Sequence, residues 1–242
     1  GDISVKTSDG QAAIHANGSL VALSGTIRGV SPALRSITFS DNLLLDDGTF
    51  DFSAGTVEDS VHLILGNGTD AAAIDLGTDE DKSLRIAGLT ANEASSVSGI
   101  EGQKLELVDA ELKGSLLGGF TVNVAGDDAL PGASVILQDG FSAESGISFL
   151  VSGGTLDLGN LSLQNAITVT SGTLAQASNW DGGSEVTVDT SAGASDIVLG
   201  GLKASALTHV TTGAGTTVSD IGHGTVALAT ARLTLDTPNT LT

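Results

Sequence analysis

Paired apolar residues return along this chain with a fixed rhythm, and that rhythm limits its folds more than any other feature. In the second half Leu156 and Leu158 are followed eleven residues later by Ile167 and Val169, Val186 and Val188 by Ile197 and Leu199, and Leu207 by Val218. Two successive strands with their turns then take about twenty residues, as the steps Leu156 to Leu174, Ile197 to Val218 and Val218 to Leu235 suggest. A period near twenty built from short strands is the signature of a solenoid. In such a coil each strand pairs with its equivalent one turn along, about 4.8 Å away, and alternate side chains enter a shared core. At most about twelve coils of this kind would give a rod of roughly 50 to 60 Å.

The rest of the chain is written in the same units. Runs such as "VHLIL", "KLELV", "FTVNV", "SVILQ", "ISFLV", "LSLQ", "ITVT" and "RLTL" read as strands of four or five residues with one face buried. Gly, Asn, Asp and Ser clusters between them supply positive φ angles and side-chain caps for tight turns, and the 33 glycines act as punctuation. Apolar spacing of three and four is not sustained anywhere, and only 91–97 and 202–208 have room for a turn or two of helix. The fold class is therefore all-β, a parallel β-helix of about twenty residues per coil. Asn-Gly or Asp-Gly pairs at 17–18, 47–48, 67–68 and 139–140 suit hairpins and keep a β-sandwich or jelly roll as the alternative for the first half.

Composition bounds the function. With 40% hydrophobic residues the chain can bury a core despite its net charge of −20. Nine scattered cations leave no basic stripe for phosphates, which argues against nucleic acid and anionic membrane as partners. No apolar run approaches the roughly 20 residues that span a bilayer. The absence of cysteine excludes a disulfide framework and thiolate metal sites, and suits export through an oxidising compartment. The chain opens on Gly1-Asp2 and stops at "LDTPNTLT", so the expectation is a single solenoid domain over 1–242, a piece of something longer, with 1–60 a cap or irregular coils.

"LILGNGTDAAAIDLGTDED" (63–81) poses the question of a metal site. A calcium nonapeptide coil needs G-G-x-G-x-D-x-U-x in succession, U being a large apolar residue. Gly68 with Asp70, and Gly77 with Asp79, fit the pattern, but the U positions fall on Ala72 and on Asp81, where a carboxylate would occupy the core. The preferred reading is acidic turns at strand ends, with no metal or cofactor assigned.

Catalytic constellations are thin. "GDD" (126–128) and "IGHG" (221–224) each look like a piece of the pectin-hydrolase signature, in which an aspartate pair supplies acid and base for glycoside inversion. Asp127 and Asp128 stand far in sequence from His223, and the family's other elements are missing. Lys82 beside Asp79, Glu80 and Asp81 offers the one lyase-like neighbourhood, and a solvated turn accounts for it as well. No Gly-x-Ser-x-Gly elbow or phosphate-binding lysine loop is present. His15, His62, His209 and His223 are isolated and receive no role. Trp180, flanked by Asn179 and Asp181, offers a stacking surface for a sugar, and Asn17, Asn67 and Asn160 head glycosylation sequons.

"LILGNGTDAAAIDLGTDEDKSLRIAGL" (63–89) resembles the autotransporter-associated β-strand repeat, in which an apolar strand, LGxG, an apolar-Asp-Leu strand and a third strand ending in xGL follow one another. "GGTLDLGNLSLQNAITVTSGTL" (153–174) and the closing "ATARLTLDTPNTLT" are similar to the same repeat, whereas 1–60 and 90–150 fit it poorly. The resemblance implies a right-handed β-helical passenger segment at the bacterial outer-membrane surface or outside the cell. It further implies a non-enzymatic stalk or adhesion module that meets host or neighbouring-cell surface molecules, glycans among them. The rival class is a β-helical carbohydrate-active enzyme or glycan-binding module.

Overall fold

In the computed structural model the described residues are 4–8, 11–23, 25–27, 42–68, 70–161, 163–175, 186–189, 196–200, 207–212, 217–219, 232–235 and 240–241, with side chains described mainly within 42–175. Every regular element among them is a strand. In chain order these are β1 (Ser4–Ser8), β2 (Gln11–Ala22), β3 (Gly25–Ile27), β4 (Asn42–Asp51), β5 (Gly55–Val57), β6 (His62–Leu65), β7 (Ala72–Asp75) and β8 (Ser83–Ala91). Next come β9 (Ser96–Gly99), β10 (Lys104–Leu112), β11 (Ser115–Gly118), β12 (Thr121–Ala125), β13 (Ser134–Leu137), β14 (Ser142–Ala143), β15 (Ser148–Asp157) and β16 (Ala166–Ala175). The remainder are β17 (Val186–Asp189), β18 (Asp196–Gly200), β19 (Leu207–Thr212), β20 (Thr217–Ser219), β21 (Arg232–Leu235) and β22 (Thr240–Leu241).

The strands wind into a parallel β-solenoid of about six turns, roughly 21 residues per turn. Three faces follow from the pairings. The first stacks the N-terminal half of β4, then β6, the C-terminal halves of β8 and β10, β13, and the C-terminal halves of β15 and β16. The second stacks the C-terminal half of β4 with β7, β9, β11 and β14. The third runs from β8 through β10 and β12 to β15 and β16. β1 departs from the parallel rule and pairs antiparallel with the start of β2.

Alternation decides which side chains enter the column. In β6 the burial pattern alternates, so Leu63 and Leu65 point inward and His62 and Ile64 outward. Because the coils are in register, inward residues stack on one another: Leu43, Leu63, Leu89, Ala110, Val135, Leu156 and Leu174 form one ladder with at most 2% exposure. Leu84, Leu105, Val122, Phe149 and Ile167 form another on the third face. Both belong to one continuous core, with Phe50, Phe52 and Phe120 filling its width.

Turn chemistry places the corners. Asp51, Asp75 and Asp157 each accept the backbone N–H two residues on, at Ser53, Gly77 and Gly159, while the residue between, Phe52, Leu76 or Leu158, turns into the core. Gly77 is required as well as permitted: its φ is +82°, and a Cβ there would sit 2.4 Å from that of Ser53 on the neighbouring coil.

The coil is irregular in ways the period does not announce. The first coils carry three strands each, where the period count expected two: "AAID" is a strand, as the apolar-Asp-Leu element of the repeat-like stretch 63–89 implied, and so are "SVSG" and "SLLG". Leu161, Leu163 and Gln164 of "LSLQ" are not in a strand; they lie between β15 and β16, where the second face has no strand among the described residues. Residues 91–97 make a turn and the start of β9, with no helix. Leu156 and Ile197 do lie one coil from Leu174 and Val218, but Val218 pairs with Leu241, and Leu235 pairs with Thr212. The sandwich alternative fails because the strands pair parallel with their equivalents in the next coil. "SITF" (36–39) and "TVALA" (225–229), which alternate in the same way and read as strands, lie outside the described residues, as does most of 202–208.

Leu63→Ala, in the middle of its ladder, is expected to cost about 2–5 kcal/mol, whereas Ile64→Thr on the outer surface is expected to cost about 1 kcal/mol or less. Urea denaturation midpoints of the two variants measure the difference.

Candidate functional site

Between the third and first faces the chain crosses one corner in every coil. β8, β10, β15 and β16 each run across it as one strand. The coil of β12 and β13 instead opens there into a loop, residues 126–133, and in later coils β17 and β18, and β19 and β20, are likewise separate strands. Insertions from a regular solenoid are where binding features collect. The loop and the bend of β15 border a cleft of about 470 Å³ whose lining includes Asp127, Asp128, Leu130, Ser152, Gly153 and Thr155.

Asp127 is committed within this loop. One carboxylate oxygen accepts the Ala129 N–H at 2.8 Å, and the other accepts from Arg85 Nη2 at 2.9 Å. Asp128 stays exposed at the cleft mouth. With both oxygens of Asp127 occupied, the "GDD" pair is not arranged as two open carboxylates facing a scissile bond, and His223 lies outside the described residues.

Arg85 is the centre of the polar surface here. Its Nε donates to Asp59 at 2.9 Å, Nη1 to Glu106, and Nη2 to Asp127, so one guanidinium joins residues of successive coils and the loop. The Asp59 hydrogen bond pushes the Arg85 pKa above its ordinary value, burial opposes this, and Glu106 adds to the rise. A raised arginine pKa contributes stability at all pH values below the unfolded one, so this cation stays charged across the working range. The line continues outward: Asn123 donates to Glu106 at 3.1 Å, and Ser152 donates to Asn123 at 2.7 Å.

A second set of polar residues is turned inward at the corners. Gln103 is fully buried; its amide nitrogen donates to the carbonyls of Gly77 at 3.0 Å and Asp79 at 2.8 Å, and its oxygen accepts the Ile100 N–H at 2.8 Å. Asn165 donates to the carbonyls of Glu144 and Ile147, and Ser95 to that of Leu65. Each brings a side-chain donor to a corner carbonyl, in the case of Leu65 beside the Asn92 N–H of the next coil. Arg85, Gln103 and Asn165 were not singled out in the sequence, since only the coil register brings their partners alongside.

The nonapeptide-like repeats mark two different corners. Asp70 follows β6, and its carboxylate accepts from the Asn67 amide at 2.9 Å; Asp79 follows β7, and accepts the Asp81 N–H at 3.1 Å. Successive corners of one coil do not stack as the ligand loops of a nonapeptide roll must. Asn67 is exposed but donates also to Asp46 at 3.2 Å. Lys82 is not a solvated turn residue: its ammonium reaches the Gly55 carbonyl of the preceding coil at 2.9 Å. His62 bonds the Thr90 hydroxyl at 2.9 Å, and Asn160 lies in an exposed turn. Asn179, Trp180 and Asp181 lie outside the described residues, and His15, Asn17 and His209 fall on strand backbone of β2 and β19.

No protein-family model, curated protein or solved structure matches the chain. Among the described residues no group of three or more His, Asp or Glu side chains is placed to share a metal ion.

Two outcomes are expected. Gln103→Leu removes the side-chain partner of the Gly77 carbonyl and of the Ile100 N–H and should cost about 1–3 kcal/mol, read as a fall in thermal midpoint. Adding EDTA to calcium-equilibrated protein should leave that midpoint unmoved, because the Asp70 and Asp79 carboxylates are engaged in their own turns.

Proposed function

We propose that this chain is a non-enzymatic structural and interaction module, a rigid acidic rod that presents a repeating outer surface to other molecules at or beyond the cell surface. The observation that carries the reading is the in-register ladder itself. Equivalent strands stack in register from coil to coil, so outward positions form rows, such as Ser115 and Ser142, whose hydroxyls lie 2.9 Å apart, and Thr121 and Ser148 at 3.1 Å. Solenoids use such extended faces for recognition, and their stability is a sum over neighbouring coils. The acidic surface keeps the rod soluble and favours partners that are neutral or cationic. The autotransporter-like repeats at 63–89 and 153–174 support export and surface display.

A glycan-binding or glycan-cleaving module is the second reading, favoured by the cleft beside Asp128 alone. Purified protein coupled to beads and applied to cultured cells and to a panel of oligosaccharides separates the two. The rod reading expects saturable attachment with no release of reducing ends. Release of reducing ends that Asp128→Asn abolishes would overturn it.

A further inference from the structure

We propose that residues 126–133 are a strap latched onto the solenoid by Arg85, and that releasing the latch uncovers an apolar strip along the corner beneath. This inference does not rest on the adhesive reading above.

The strip comes from a break in the strand alternation. Where the chain rounds this corner, consecutive residues are buried in three successive coils: Ile86 and Ala87, Leu107 and Val108, Val124 and Ala125. The first of each pair enters the main core. The second does not: Ala87, Val108 and Ala125 form a separate cluster with Ala133 packed against it, and Val108 is 0% exposed. Ala133 is the last residue of the loop. Side chains that would lie on the outside of a bare corner are thus kept from water, and the loop supplies a wall.

The loop is shaped from within and tied down from without. The Leu130 N–H donates to the Asp127 carbonyl and the Ala133 N–H to that of Leu130, so it folds as two consecutive tight turns. Its tip is loosely held: Leu130 is 42% exposed, and a Cβ at Gly132 would meet nothing within 4 Å. Its start is anchored by Asp127 on Arg85, and its far end by the Ser134 N–H on Asp109 at 3.4 Å. The Asp127 contact is electrostatic and partly exposed, with Arg85 shared by two competing carboxylates, Asp59 and Glu106. A pair of that kind is screened by salt, whereas the backbone ladder around it is not. The strap is consequently the element of this corner that opens without the coil unwinding. Opening also removes one wall of the cleft.

The chain has no cysteine, so a single thiol reports the opening. Val108→Cys places it under the strap, and Val97→Cys places a control in the main core on the second face. Labelling by a small thiol reagent is expected to rise about fivefold for the Val108 thiol when Arg85→Gln is added, while the Val97 thiol is unchanged. The same selective rise is expected when NaCl goes from about 0.01 M to about 1 M, shortening the Debye length from about 30 Å to about 3 Å. Hydrogen exchange of the Leu130 and Ala133 amides in the cysteine-free chain gives the same readout if a thiol variant folds poorly. Equal rates with and without Arg85, or parallel rises at both thiols, would overturn the latch.

Discussion

Backbone hydrogen bonding between coils is the constraint on which the rest of this molecule depends. Along the first and third faces strands such as β6, β12 and β13 have both edges occupied by neighbours, so the ladder fixes where their residues sit relative to those above them. Once Leu43, Leu63 and Leu89 are locked at one height step apart, their burial is no longer a separate event but a consequence of register. A single-residue slip would exchange Leu63 with Ile64 and turn an apolar ladder into solvent. Register and core therefore enforce each other, and the fold tolerates step lengths from 17 residues, as between Lys104 and Thr121, to 31, as between Ala12 and Leu43.

Variable step length is possible because the slack is taken up at corners, and corners are where the chain must satisfy backbone groups that no strand partner reaches. The described structure meets this need in two ways. Aspartates before Ser53, Gly77 and Gly159 cap the turn from within the same coil, using only local sequence. Gln103 and Asn165 reach across to carbonyls of the preceding coil. The second device costs little in an interior otherwise made of Leu, Ile, Val and Phe because every polar atom of Gln103 that is named above has a partner.

Regularity also explains where a surface role would have room to vary. Outward side chains contribute little to the column, so rows such as Ser115 and Ser142 are free to be chosen for what they meet. The same freedom lets the chain extrude 126–133 at one corner without disturbing the strands on either side, since Leu105 to Val122 and Val135 to Leu156 keep their pairing around it. Arg85 then acts as a surface counterpart of Gln103, joining coils through charge where the amide joins them through the interior.

The sequence by itself determined the all-β class, the solenoid and its period near twenty, because those follow from alternation and repetition, which are local and additive. It also marked the corners, since Asp-x-Gly and Asn-Gly turns are short-range chemistry. The third strand of the early coils was legible only at "AAID", through the repeat resemblance at 63–89; "SVSG" is too polar and too short to stand out until a neighbouring strand pairs with it. Nor was the joining of Arg85 to Asp59, Glu106 and Asp127, or of Gln103 to Asp79, because partners 21 to 42 residues apart become adjacent only when each coil's length is known. Tertiary structure decided those contacts for a physical reason: the register is set by the sum of all ladder and core interactions along the column, and no short window of residues contains that sum.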